Sequence, residues 1–420
     1  MTTETRILGR ADWDRWYASL ELAFGGVTEP PEERSLYEAL TEHERSIGVW
    51  DGGQCVGTAG AFSFRLTVPG GASVPAAGVT MVSVAATHRR RGLLTSMMRR
   101  QLDDIRSWDE PLALLTASEP AIYGRYGYGA ATQQLLLRID TSQVRLSVPD
   151  GRGGDGDADG TDEVSLRLAT PHEPAVLEAC EAVYAAHVAG RPGMLARRPG
   201  WERLPVVDGK REKDGMSPLQ CVLAERRGEV VGFTRYRVKP EWEEAGPKGT
   251  VHVSDLYGLD PRAYAALWRH LAGIDLTSTV VVRDLPVDAP VQHLVSDIRR
   301  CEPRLRDSLY VRLVEVGAAL QARTYRTPVD VVLEVEDSFC PWNEGRWRLC
   351  GDPKGASCER TADQPDLRLS VNELGTAYLG GVSLTALAGA GRVRELRPGA
   401  LAEASTAFGS DVAPWLPHGF

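Results

Sequence analysis

A chain of 420 residues with 43% hydrophobic and 25% charged side chains has ordinary globular composition, which excludes wholesale disorder and a fibrous repeat. Its 48 Lys and Arg against 57 Asp and Glu leave a net charge of −9, so an affinity built on neutralising nucleic-acid phosphates is not expected. At about 150 residues per domain, the length predicts two or three domains.

No stretch approaches the ~18 uninterrupted apolar residues of a spanning helix, and the opening MTTETRILGRADWDRW lacks the apolar core of a secretory signal. Neither a membrane nor secretion is expected, and a cytoplasmic location is the default. The seven cysteines (Cys55, Cys180, Cys221, Cys301, Cys340, Cys350 and Cys358) are odd in number and lack CxxC or Cys/His ligand spacing. Mostly reduced core thiols and no metal are expected.

In chain order, Ile47 to Trp50 and Cys55 to Phe64 flank Asp51-Gly52-Gly53, a turn chemistry that joins antiparallel strands. Val79 to Ala85 (VTMVSVA) is a third strand, too apolar for exposure on both faces. The segment His88-Arg89-Arg90-Arg91-Gly92 then leads into a helix. There Leu93, Leu94, Met97, Met98, Leu102 and Ile105 recur at helical spacing, opposite Arg99, Arg100, Asp103 and Asp104. A strand from Leu112 to Ala117 and a turn dense in tyrosine and glycine follow. Residues 150–163, DGRGGDGDADGTDE, hold five glycines, six acids and no large apolar side chain, and read as a flexible linker or exposed loop after a first domain of 1–149.

The same order returns downstream. A hairpin forms around Arg226 to Gly228, a strand runs from Val251 to Gly258, and Asp260-Pro261 opens a helix carrying Tyr264, Leu267, Trp268 and Leu271. This copy lacks the Arg-Arg-Arg-Gly segment, so the chain reads as a tandem duplication whose second half, 164–303, has no anion site. From 304 to 420 the pattern restarts, with LVEVGAALQARTY as a helix feeding the strand VDVVLEVED.

The basic segment carries chemistry. A helix start presents unpaired N–H groups and the positive end of a dipole, and glycine lets an anion approach the backbone. Three arginines just upstream add charge-assisted donors suited to a pyrophosphate. Placement after a buried strand and before an amphipathic helix favours phosphate binding over a merely solvated basic loop.

VTMVSVAATHRRRGLL resembles the acetyl-CoA signature R/Q-x-x-G-x-G/A of the GNAT acetyltransferases, with Arg89 and Gly92 in place and Leu94 where glycine or alanine is commoner. Together with ASEPAIYGRYGYGAAT at 117–132 and DLRLSVNELGTAYLGG at 366–381, it makes the whole chain similar to the enhanced intracellular survival (Eis) acetyltransferases. The resemblance implies an α+β architecture of tandem GNAT folds with mixed, mostly antiparallel sheets, followed by a sterol carrier protein-like domain over 304–420. It implies acetyl-CoA as co-substrate, held by Arg89, Arg90, Gly92, Leu93 and Ser118 and by the backbone of Val82 and Val84. It also implies a homohexamer.

Acetyl transfer to an amine needs a neutral nitrogen and a proton for the departing thiolate. Tyr123, Tyr126 and Tyr128 are all candidates for that proton. The resemblance selects Tyr123, in Ile-Tyr-Gly-Arg, as general acid and leaves Tyr126 and Tyr128 to packing. For the base it implies the terminal carboxylate of Phe420, with the ring anchored in an apolar pocket and His418 as the rival. The expected acceptor is a primary amine of a small cation, aminoglycoside-like or polyamine-like; a protein lysine, or a non-catalytic ligand-binding scaffold, are the alternatives. Glu29, Glu32, Glu33 and Glu38, after Phe24, either draw in such a cation or form a solvated helix face. Relatives that accept aminoglycosides tend to carry acids where this chain has Gly25-Gly26 and Gly419, which weakens the expectation of an efficient aminoglycoside enzyme.

Overall fold

A computed structural model describes residues 3–147, 163–207 and 215–420. The linker expected at 150–163 lies outside the described residues except for Glu163. The chain forms two compact units, each built from more than one stretch.

The first unit comprises the residues up to Gln133, Arg191–Ala196 and Asp307–Phe420. Its first part contains strands β1 (Glu4–Ile7), β2 (Ile47–Asp51), β3 (Gln54–Thr67), β4 (Ser73–Val84), β5 (Leu112–Thr116) and β6 (Gly129–Ala130). Helices α1 (Trp13–Ala23), α2 (Pro31–Leu40), α3 (Leu93–Ser107) and the single turn α4 (Pro120–Tyr123) complete it. The expected hairpin is present, with Gly52 at φ +59° in its turn. Along the sheet the order is β1, β2, β3, β4, β5, then Leu309–Leu313, then β6, with Leu195–Ala196 added on β3. The β4–β5 pair is parallel, and the other pairs of this sheet are antiparallel.

Two strands cross the boundaries expected from the sequence. Leu309–Leu313, expected to belong with 304–420, pairs with β5 on one side and β6 on the other. Its five residues are all buried, in keeping with a place between two paired strands. Gln133–Asp140, from the expected first domain, pairs instead with Thr277–Pro286 in the sheet of the second unit. The linker marks a change in composition; edge pairing decides which sheet the neighbouring strands join.

Helix α3 buries Met97, Met98, Leu102 and Ile105, at about 1.5–3 kcal/mol for each large apolar side chain, which fixes its register over the sheet. Gln101, on the same face, is buried as well, and its Nε2 donates to Gly60 O at 2.9 Å. On α1, Trp13, Trp16 and Tyr17 pack with Trp50 and Cys55. Beyond Leu309–Leu313 the unit continues as a sheet ordered Gly355–Arg360, Gly345–Asp352, Val329–Glu336, Leu367–Ser370, Val393–Glu395. Arg312 ties the two sheets together: fully buried, it donates to Asp337 Oδ2 at 2.7 Å, and Asn343 Nδ2 donates to the same oxygen at 3.0 Å.

The second unit, the described residues of Gln134–Gly190 and Arg197–Arg306, has its own core, including Leu267, Trp268 and Leu271. Its parallel pair, Gly249–Gly258 with Thr277–Pro286, is joined through the helix Pro261–Ala272, as β4 and β5 are joined through α3. Among the described residues, no helix is long and apolar enough to cross a membrane.

Candidate active site

The site begins at a fault in β4. Strand β3 opposes it at Gly60↔Thr80 and again at Thr58↔Ser83, so Ala59 faces two residues, Met81 and Val82. Met81 takes φ +53°, and the extra residue is a β-bulge. Thr58 Oγ1 lies 2.7 Å from Met81 O and 2.7 Å from Ser83 Oγ, which satisfies the displaced backbone. Strands β4 and β5 pair over Ala76–Gly78 and Leu112–Leu114, although β4 continues to Val84 and β5 to Thr116. Past Gly78 the two strands part. The half-buried Val82 and Val84 lie in this splayed stretch, where an extended amide chain can take the place of the missing ladder.

After β4 the chain passes through a short turn at Ala86–His88 and then through Arg90 at φ +61° and Gly92 at φ +80° into α3. His88 is buried and pins this loop: Nε2 is 3.2 Å from Asp51 Oδ2, and Nδ1 is 2.8 Å from Thr87 Oγ1. Arg89, Arg90 and Arg91 are thereby left exposed at the start of a 15-residue helix. A Cβ built on Gly92 meets nothing within 4 Å, so the glycine serves the left-handed backbone and leaves open space before the first N–H groups of α3. Leu93 is half-buried, while Ser118 is exposed in the bend after β5. This cradle fits a pyrophosphate.

The corresponding helix of the second unit is closed. Asp260 caps it, Oδ1 accepting from the N–H groups of Arg262 at 2.9 Å and Ala263 at 3.1 Å, while Oδ2 lies 3.1 Å from Arg226 Nη2. A carboxylate held where an anion would sit repels one.

The three tyrosines separate by burial. Tyr126 is 1% exposed, with its hydroxyl 3.3 Å from Thr95 Oγ1 and its ring edge-on to Phe339. Tyr128 is also buried. Tyr123 closes α4, is half-buried, and stands edge-on to Tyr128 at 6.1 Å between centroids. Burial pushes its phenol above the usual 10.0, with Tyr126 and Glu119 adding to the shift, so it holds its proton throughout the neutral range.

The tail returns to the splayed strands. Arg191 Nη1 donates to Ala413 O at 2.7 Å, Trp415 N donates to Pro192 O at 2.8 Å, and Trp415 and Leu416 are buried. Phe420 packs edge-on against Phe64 at 5.1 Å, and a Cβ on Gly78 would come within 3.0 Å of its ring. Thr80 Oγ1 donates to the main-chain oxygen of Phe420 at 3.0 Å. His418 Nδ1 lies 3.1 Å from Gly419 O.

The acidic cluster divides. Glu29 accepts the Tyr17 hydroxyl, and its N–H donates to Glu21 Oε1 at 2.9 Å; Glu21 in turn pairs with Arg34 at 2.8 Å. Glu32 and Glu38 are exposed and Glu33 half-buried on α2. Gly25 and Gly26 take φ +107° and +74° beside Phe24, which is 60% exposed. Sequence reasoning missed Thr80, and it named His88 only as the start of the basic segment. Thr80 and Ser83 are three apart in an apolar run, so only a bulge sets them on one face, and that break in parity was the available signal.

Three family models cover most of the chain: an acetyltransferase (GNAT) domain at residues 4–131, a second acetyltransferase (GNAT) domain at 193–313 and a sterol carrier protein domain at 316–417. An uncharacterized N-acetyltransferase of Streptomyces avermitilis is 69% identical, with both chains covered in full. N-acetyltransferase Eis of Mycobacterium tuberculosis is 33% identical over 95% of this chain and 96% of its own. The chain belongs to the Eis family of GNAT acetyltransferases. The crystal structure of Eis1 from Mycobacterium abscessus superposes with a TM-score of 0.82 at 33% identity, each chain covered in full. The Eis-type order of two GNAT folds and a sterol carrier protein fold, and an N-acetyltransferase activity, are thus established for this chain.

Proposed function

We propose that this Eis-family enzyme transfers the acetyl group of acetyl-CoA to a primary amine of a small cation, polyamine-like or aminoglycoside-like, by direct attack. The observation that carries this reading is the meeting of the chain terminus with the splayed strands, where Thr80 donates to the main-chain oxygen of Phe420. In the proposed division of labour, Arg89, Arg90 and Gly92 hold the pyrophosphate, with Leu93 and Ser118 bordering it. The backbone of Val82 and Val84 holds the amide arm. Bound acetyl-CoA supplies an acyl thioester, the electrophile. The Phe420 carboxylate takes a proton from the attacking amine, and Tyr123 gives its phenolic proton to the departing sulfur. A negative terminus beside the acceptor also favours a cationic substrate.

Arg90→Ala should weaken acetyl-CoA by about 1 to 3 kcal/mol, the scale of charge-assisted bonds left unmade. Calorimetry reads this directly, and an unchanged affinity would remove the loop from the site. A panel of polyamines, aminoglycosides and lysine peptides, followed by thiol release, tests the acceptor. Turnover with small polyamines supports the reading, and turnover confined to lysine peptides defeats it. We also propose a homohexamer on the family likeness alone, and light scattering that reports a monomer at micromolar concentration would overturn it.

A further inference from the structure

The turn that carries Tyr123 is held from the other end of the chain. Asn372 Nδ2 donates to Gly124 O at 2.6 Å and to Tyr128 O at 3.1 Å, so one amide grips carbonyls on both arms of the turn that begins at Tyr123. The amide can point only one way, since two carbonyl oxygens demand a donor. Its Oδ1 faces Ser370 Oγ at 3.4 Å, whose own proton goes to Glu373.

Asn372 itself is fixed by its helix, Val371–Ala377, which begins with a capping box of Ser370 and Glu373. Glu373 pairs with Arg392, and Thr376 Oγ1 donates back to Asn372 O at 2.9 Å. The helix lies directly on the first sheet: a Cβ on Gly129 would stand 2.0 Å from Asn372 O, and one on Gly375 would stand 2.4 Å from Val311 O. Beneath the turn, a Cβ on Gly127 would strike Arg312 Nε at 2.6 Å and Val371 Cγ1 at 2.9 Å. The turn therefore rests on a buried ion pair and is clamped by one side chain.

We infer that Asn372 is a positioning residue that holds the Tyr123 hydroxyl at the reacting sulfur, so that the sterol carrier protein-like domain aligns the general acid as well as supplying the base. This rests on Tyr123 being the acid. Freed of the clamp, the turn would loosen, the Tyr123 ring would gain water, and its raised phenol would fall back toward 10.

The test uses the full chain with Asn372→Ala, which removes both donors, and Asn372→Asp, which sets a carboxylate against two carbonyls. Each is also combined with Tyr123→Phe. Each single variant should lose kcat by about 10- to 100-fold, the scale of a misplaced reacting group, with the KM for acetyl-CoA little changed. The alkaline limb of the kcat profile should move to lower pH. In the Tyr123→Phe background the Asn372 substitutions should cost nothing further, because the group they position is gone. Tyr123→Phe with full turnover overturns the acid assignment and the inference with it. A disabled Tyr123→Phe beside fully active Asn372 variants, or losses that simply multiply, overturns the inference alone. Should Asn372→Asp fail to fold, Asn372→Ala with a wild-type melting curve still decides the matter.

Discussion

Tyr123→Phe should fold normally, bind acetyl-CoA and lose turnover by roughly 100-fold or more, the range expected when a general acid is removed. The substitution deletes one oxygen from a half-buried ring whose edge contact with Tyr128 remains, so packing survives and proton donation does not. Tyr126→Phe should cost far less, because the Tyr126 hydroxyl is directed at Thr95 rather than at open space. The sign of the pH dependence follows from burial. A phenol held above 10.0 stays in its acid form through neutrality and gives up its proton only as pH rises beyond that value. The alkaline limb of kcat should therefore lie above pH 10 in the native enzyme and vanish in Tyr123→Phe. Stopped-assay rates across pH, with calorimetric acetyl-CoA binding on the same samples, separate lost chemistry from lost binding. A larger loss at Tyr126 than at Tyr123 would reverse the assignment.

Much of this site is legible in the chain because its parts are local. The basic loop, Gly92 and the amphipathic α3 are contiguous, and each obeys a rule that needs no tertiary partner: charge before a helix start, glycine for a left-handed residue, apolar side chains at helical spacing. Tyr123 is different. Its neighbours Tyr126 and Tyr128 share its composition, and only burial, a product of the whole sheet, tells the three apart. Family likeness therefore selects Tyr123 where residue chemistry does not.

What stays hidden depends on contacts between distant stretches of chain. Thr80 reads as one more residue of an apolar strand until Phe420, 340 positions later, meets its hydroxyl. Asn372 reads as the second residue of a helix until Gly124 and Tyr128 come beneath it. Leu309–Leu313 illustrates the same difficulty for the fold. Its uniform burial is visible as apolar character, but which sheet it enters depends on the unpaired edge of β5, a feature of a strand nearly 200 residues earlier. Local pattern specifies an element's type, and long-range pairing specifies its neighbours.

A chain extended by a few residues beyond Phe420 should lose nearly all activity while keeping its fold. The phenyl ring keeps its place against Phe64 and over Gly78, and the anchors at Trp415 and Leu416 lie upstream of the change. What the extension removes is charge. The carboxylate becomes a neutral amide carbonyl, which can still accept from Thr80 but is too weak a base to take a proton from the amine. A tag at the C-terminus should accordingly be far more damaging than one at the N-terminus. If His418 were the base, the outcome would invert, with His418→Ala inactive and the extended chain at least partly active. His418 Nδ1 lies 3.1 Å from Gly419 O, and the two variants decide between the bases. Melting curves on both variants distinguish a disturbed tail from a missing base. An extended enzyme with full turnover would eliminate the terminal carboxylate as base, and Thr80 would then be left with the task of anchoring the tail alone.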